Sequence, residues 1–221
     1  MIDITKKLFP ILWDRYWCDE LQIYRPENCV FNPVNKEWSI TALRINTEGL
    51  KPFNSGCLSS INKARTEGII FNGAKGEISL RCRFDNFRSA FPAAWLLPVN
   101  APKGSIYEID IFEWISQESN TLQTTHHWGE DYGSKKHKKR NKKIKGDWTG
   151  YHTYGLKWNK VFMWWKVDGR TRKIIFNRYR KQKYYLLINL AIGGWAEDPL
   201  PHQTRLTMNV KQVEATGILN S

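Results

Sequence analysis

Residues Tyr107–Trp114 read YEIDIFEW, three carboxylates set among isoleucine, phenylalanine, tyrosine and tryptophan. Residues of this kind, with acids at alternate positions, predict a strand that is buried on one face and open on the other. In a regular strand Glu108 and Asp110 share a face with Phe112, and Glu113 points the other way. One β-bulge between Asp110 and Glu113 would return Glu113 to the side of the other two acids and leave Ile109 and Ile111 to the core. Three acids in a row raise one another's pKa, which destabilises the fold unless the chemistry uses it. Glycoside hydrolysis is such a chemistry. Its retaining form needs two carboxyls roughly 5–5.5 Å apart, one ionised and one protonated, and a third acid between them can tune the pair. The plain alternative is an edge strand whose acids simply face water.

Strand patterns continue outward from this segment. In GEISLRCRF (Gly76–Phe84), Ile78, Leu80, Cys82 and Phe84 alternate with Glu77, Ser79, Arg81 and Arg83, the period of a half-buried strand. Further strands are expected at Trp38–Ile45, Ala93–Leu97, Ile106–Ile111, Leu122–Trp128, Thr153–Trp158, Val161–Val167, Tyr184–Ile192 and Arg205–Val213. Val167-Asp168-Gly169-Arg170 carries a hairpin turn signal. No amphipathic helix of ten or more residues stands out. Many strands punctuated by Gly, Pro and Asn indicate an all-β sandwich or barrel. No linker or repeat divides the chain, so residues 1–221 are read as a single domain, ordinary for a sandwich of this length. Apolar residues make up 41% and aromatics 14%, enough to build a core and to argue against global disorder.

The chain has 34 Lys+Arg against 21 Asp+Glu, a net charge of +13. Eight of those charges fall in KKHKKRNKKIK (Lys135–Lys145), which contains no acid. The protein is therefore a mildly basic domain with a basic insert, residues 130–148. Like charges this dense repel, so the insert is expected to be a mobile loop, either solvated or binding an anion. Cys18, Cys29, Cys57 and Cys82 show neither CxxC nor zinc spacing, so no metal site is expected; Cys18 and Cys29 could pair. No run approaches the ~18 apolar residues of a membrane helix. The N-terminal MIDITKKLFPILWDRYW does not read as a secretory signal.

The surroundings of the acid strand resemble glycoside hydrolase family 16, the laminarinase, agarase and carrageenase group. GEISLRCRF, then FPAAWLLP (Phe91–Pro98), then EIDIFE (Glu108–Glu113) follow in the family's order. PENCVF (Pro26–Phe31), SITA (Ser39–Ala42), SGCLSS (Ser55–Ser60), THHWG (Thr125–Gly129), YHTYGLKW (Tyr151–Trp158), VDGR and LINLAIGGW (Leu187–Trp195) extend the likeness from about residue 24 to the end. The resemblance implies a concanavalin A-like β-jelly roll with a sugar cleft across its concave sheet. It makes Glu108 the nucleophile, Asp110 the assisting acid and Glu113 the acid/base, in the bulged ExDxxE branch. It places Trp95 under the sugar beside the scissile bond, His127 near the acids and Asn28 against sugar hydroxyls; Trp114 and Trp195 are further cleft candidates. The plain alternatives are a core aromatic for Trp95 and a satisfied strand histidine for His127. Three positions depart from the family: Phe91 replaces a Trp, Cys57 an Arg of the cleft, and Lys211 stands where a calcium-binding acid would be. No cofactor is expected, and Lys211 speaks against a structural calcium.

The expectation is an endo-acting, retaining β-glycanase cleaving a polysaccharide. The basic insert suggests an anionic one, such as a sulphated galactan, a sulphated host glycan or an acidic capsule. The alternatives are a neutral β-1,3- or β-1,3/1,4-glucanase with an idle loop, and a non-catalytic carbohydrate-binding module. Modules of that type usually lack one of the acids, and all three are present. Nucleic-acid binding is not expected, because no motif accompanies the lysines and no aromatics interleave them. Nor is a membrane partner; the chain is expected to be a monomer. It is expected to act outside the cell, either as a secreted enzyme with its signal removed or as a phage-encoded depolymerase.

Overall fold

The computed structural model describes residues 1–13, 19–45, 51–85, 87–115 and 121–219. Cys18, half of the cysteine pair considered above, lies outside them; Cys29, Cys57 and Cys82 are free, buried thiols. In chain order the strands are β1 (Ile2–Asp3), β2 (Phe9–Pro10), β3 (Gln22–Tyr24), β4 (Cys29–Asn32), β5 (Glu37–Arg44), β6 (Phe53–Ser55), β7 (Cys57–Ser59), β8 (Ile70–Asn72), β9 (Gly76–Phe84) and β10 (Ala90–Pro98). They continue as β11 (Ser105–Trp114), β12 (Thr121–Glu130), β13 (Lys138–Lys145), β14 (His152–Trp158), β15 (Phe162–Val167), β16 (Arg170–Phe176), β17 (Lys183–Ile192), β18 (Arg205–Thr216) and β19 (Ile218–Leu219). Every strand expected from sequence falls on one of these.

Two sheets stack face to face. The front sheet runs β13-β12-β11-β10-β17-β7-β2, and the back sheet β16-β15-β14-β9-β18-β5-β6-β3. Pairing is antiparallel except between β3 and β6. This is an all-β sandwich, as the alternation implies, with the jelly-roll form that the resemblance implies. The inward residues of both sheets form one core. Ile78, Leu80, Cys82 and Phe84 of β9 meet Ile109, Phe112 and Trp114 of β11 there. Burial of such apolar surface is the main stabilising contribution to a sandwich. The turn at Asp168-Gly169 has both residues at positive φ (49° and 75°), the type I′ geometry that joins twisted strands tightly.

The basic insert is not the mobile loop its charge suggests. Lys138–Lys145 forms β13, an edge strand paired with β12 from Thr121↔Lys145 to Trp128↔Lys138. The physical reason is the ladder. β12 would otherwise present a row of unpaired backbone groups, and exposed lysines on an edge strand keep their charges in water. Only Ile144 of β13 is buried, and it joins the core together with Trp148. Among the described residues no helix is long and apolar enough to cross a membrane.

Candidate active site

β11 carries the bulge that its sequence called for. Asp110 pairs with Thr125 and Glu113 with Gln123, so three steps on β11 face two on β12. The same irregularity shows against β10, where Trp95 faces Asp110 and Ala94 faces Phe112. The extra residue turns Glu113 to the open face beside Glu108 and Asp110, and Ile109, Ile111 and Phe112 to the core. The back sheet braces this point: the indole Nε1 of Trp165 donates to the Asp110 carbonyl at 2.8 Å, satisfying a backbone acceptor where the ladder is interrupted.

The front sheet sets the acids in cross-strand rows. Glu108 pairs with His127 and His127 with Lys139; Asp110 pairs with Thr125 and Thr125 with Asn141. All six residues line one cleft of about 420 Å³ together with Glu113, a size suited to part of a sugar chain. Tyr132 donates its hydroxyl to Glu108 Oε2 at 2.9 Å. Thr125 donates to Glu113 Oε2 at 2.8 Å. His127 Nε2 stands 3.2 Å from Asp110 Oδ2 and 3.7 Å from Glu108 Oε1.

Burial pushes Glu113 up to about 8, with the charge of Asp110 adding to the effect and the Thr125 hydroxyl opposing it. Glu108 and Asp110 are also pushed up, chiefly by burial. For Glu108, His127 and the Tyr132 hydroxyl pull the other way. Burial holds His127 below its usual range despite the pull of Glu108 and Glu113, so it acts as a neutral imidazole near pH 7. Burial also brings Lys173, which reaches in from β16, down to about 7, against the attraction of Asp110. Its ammonium donates to the carbonyls of Thr124 and Arg140. Three carboxyls with little water between them do not ionise together. The arrangement can hold a proton on one outer acid and a charge on the other. Glu108, Asp110 and His127 each offer a ligand atom within 4.8 Å of the others. Such a set could hold a divalent cation or, with His127 neutral, hand protons among the three groups.

The remaining expected residues divide. Trp95 lines the cleft, donates its indole N–H to Asn189 Oδ1 at 2.8 Å and has Trp13 stacked on it at 5.8 Å. The two rings form an aromatic wall in place of one open platform. Trp195 is 50% exposed and lies 5.0 Å from Lys139 Nζ, which sits over its ring. β13 and the end of β17 flank β11 on opposite sides, so this contact spans the cleft. Trp114 does not reach the cleft. It is fully buried and stacks on Phe84 in the core, because the bulge that returns Glu113 sends its neighbour inward. Asn28 is likewise absent from the lining. Both its amide protons go to backbone carbonyls, of Thr41 at 2.8 Å and Asn54 at 3.3 Å, leaving that group nothing to offer a sugar. Sequence reasoning missed Tyr132, His137 and Lys139 as site residues, since they sit in the insert read as a loop. It also missed Trp13, Glu20 and Tyr24, which lie ahead of or at the start of the motifs that carry the resemblance.

The model of the glycosyl hydrolases family 16 matches residues 57–212. An endo-1,3-1,4-beta-glycanase, EglC, of Rhizobium meliloti (strain 1021) is 28% identical over 85% of this chain and 43% of its own length. A second from the same organism, ExsH, is 31% identical over 56% of this chain and 26% of its own. The chain thus spans less than half the length of these relatives. Among solved structures, the laminarinase from Rhodothermus marinus superposes with a TM-score of 0.79 at 22% identity, covering 97% of this chain and 91% of that one. An endo-glucanase from Bacteroides ovatus in complex with G4G3G-2F-DNP superposes with a TM-score of 0.75 at 19% identity, covering 95% and 94%. The acid strand, the jelly roll and the family match agree, and the chain belongs to glycosyl hydrolases family 16.

Proposed function

We propose that the protein is an endo-acting, retaining β-glycanase in which Glu108 attacks the anomeric carbon and Glu113 protonates the leaving oxygen. The observation that carries this is the bulge of β11, which sets both acids on one open face in unlike surroundings. Burial raises Glu108 and Glu113 alike, so the site keeps a proton at neutral pH; this reading gives it to Glu113, which can pass it to the departing sugar. Glu108 accepts from Tyr132, and a hydrogen bond to a carboxylate favours the ionised form that attacks. Asp110, between them and against His127, keeps their charges apart. Once the glycosyl-enzyme forms, Glu113 has become a carboxylate and can take a proton from the incoming water. The intact acid set disfavours a module that only binds sugar. The test is Glu108→Gln and Glu113→Gln on a panel of neutral and sulphated β-glycans. Each is expected to lose on the order of 10²–10⁴ in rate while keeping its fold, and unchanged rates in both would refute the reading.

The substrate is proposed to be an anionic glycan. Lys139 and Asn141 of β13 line the cleft, so part of the insert's charge faces the bound chain. Such contacts weaken with salt, and cleavage of a sulphated glycan should slow between low and high salt while cleavage of a neutral β-glucan does not. Equal salt profiles would favour the neutral glucanase reading. Sulphated and capsular glycans lie outside cells, so an extracellular site of action is part of the proposal.

A further inference from the structure

The turn between β12 and β13 carries a hydrogen-bond chain that ends on the catalytic acids. Its geometry sets the direction of every proton. A backbone N–H can only donate, and that of Gly133 stands 3.2 Å from His137 Nδ1. His137 Nδ1 must therefore be bare, and in the neutral ring Nε2 carries the hydrogen. His137 Nε2 lies 2.8 Å from His127 Nδ1, with the two ring planes inclined at 19°. It donates there, so His127 Nδ1 is the acceptor and His127 Nε2 holds the proton. That nitrogen is the one turned toward Asp110 and Glu108. Five residues before His137, Tyr132 donates to the other oxygen of Glu108.

The turn is built to hold this arrangement. Asp131 N–H donates to the Gly104 carbonyl, Ser134 N–H to Asp131 and His137 N–H to Ser134. The Ser134 hydroxyl donates to the Glu130 carbonyl at 2.9 Å. Gly129 has φ +109°, and a Cβ there would run into the Lys136 carbonyl, so the chain can double back only with glycine at this point.

We propose that Tyr132 and His137 are positioning residues for hydrolysis. His137 fixes the tautomer of His127 so that an N–H faces the acids, and Tyr132 fixes the carboxylate of Glu108 for attack. This rests on the hydrolase reading above and gives the basic insert a role separate from its charge. An imidazole chain of this kind has no room for a second proton, since an added one would set N–H against N–H.

The experiment uses the full chain in two arms. The first is nitrogen-15 NMR of the imidazoles at neutral pH in wild type and His137→Ala. The second is kcat and KM, for wild type, His137→Ala, His137→Gln and Tyr132→Phe, on whichever glycan of the neutral and sulphated panel the wild type cleaves fastest. In wild type, His127 is expected to be protonated at Nε2 and bare at Nδ1; in His137→Ala that preference is lost. His137→Ala and Tyr132→Phe should each lower kcat about tenfold with KM nearly unchanged, the signature of misplaced reacting groups. His137→Gln, whose amide can still donate to His127, should recover part of the loss. A His127 proton on Nδ1 in an active wild type would overturn the relay alone, as would full activity in both His137→Ala and Tyr132→Phe. A raised KM at constant kcat would make the turn a binding element and overturn the positioning role. A wild type with the expected tautomer that cleaves no glycan of the panel would overturn the hydrolase reading and, with it, the role given to the turn.

Discussion

Glu113 keeps its proton near neutrality because it is buried beside another acid, and this has a thermodynamic consequence. Its pKa in the fold is about 8, against an ordinary 4.5. The folded protein thus binds a proton that the unfolded chain releases. The stability from that difference is full below about pH 4.5 and is lost as pH rises through about 8. Glu113→Gln, neutral at every pH, should raise the melting temperature by a few degrees at pH 9 relative to wild type and leave it nearly unchanged at pH 4. An equal shift at both pH values would contradict the assignment. The three acids were legible in sequence because carboxylates are conspicuous in an apolar strand. Trp114 was expected at the cleft and is instead in the core, because a bulge that returns Glu113 to the open face buries the next residue. The place of Asn28 was not legible, because what its amide contacts depends on β5 and β6, far away in the chain.

At the scale of elements, β13 is where composition and structure part. Charge density predicts disorder, but the open edge of β12 supplies a ladder, and Ile144 with Trp148 supplies an anchor. Neither is visible in the lysines themselves. Once the segment is a strand, period two sorts its charges. Lys139 pairs with His127 on the cleft row, and Lys143 shares its face; Lys138 and Lys142 point away. Lys139→Gln with Lys143→Gln should raise the KM for a sulphated glycan several-fold at low salt. Lys138→Gln with Lys142→Gln removes the same charge and should leave KM nearly unchanged. Equal effects from both pairs would reduce the insert to bulk charge. The strands that sequence did place, such as β9 and β17, owe their legibility to uninterrupted alternation or to a continuous apolar run.

At the scale of the whole molecule, the sandwich buries its core between two sheets; Cys29 and Cys82 lie in that core, and Cys57 is buried at the floor of the cleft. Burial pushes Cys29 up to about 12 and holds Cys57 and Cys82 well above the ordinary range. A thiol-specific reagent at pH 8 should leave all three unmodified until the protein unfolds, and prompt reaction of Cys57 would show the cleft floor to be open. The jelly roll gives the acids a rigid platform, with Trp165 and Lys173 from the back sheet reaching through the core to the strands that carry the site. Eight of the thirteen net positive charges thus sit along one edge of this platform, and the chemistry belongs to its acidic centre. The most direct measurement is covalent trapping with a 2-fluoro β-glucan oligosaccharide bearing a dinitrophenyl leaving group, followed by peptide mass spectrometry. A retaining enzyme with these roles accumulates a glycosyl ester on Glu108, and Glu108→Gln accumulates none. A label on Glu113 or Asp110, or turnover of the 2-fluoro reagent that leaves no label on the protein, would contradict the account.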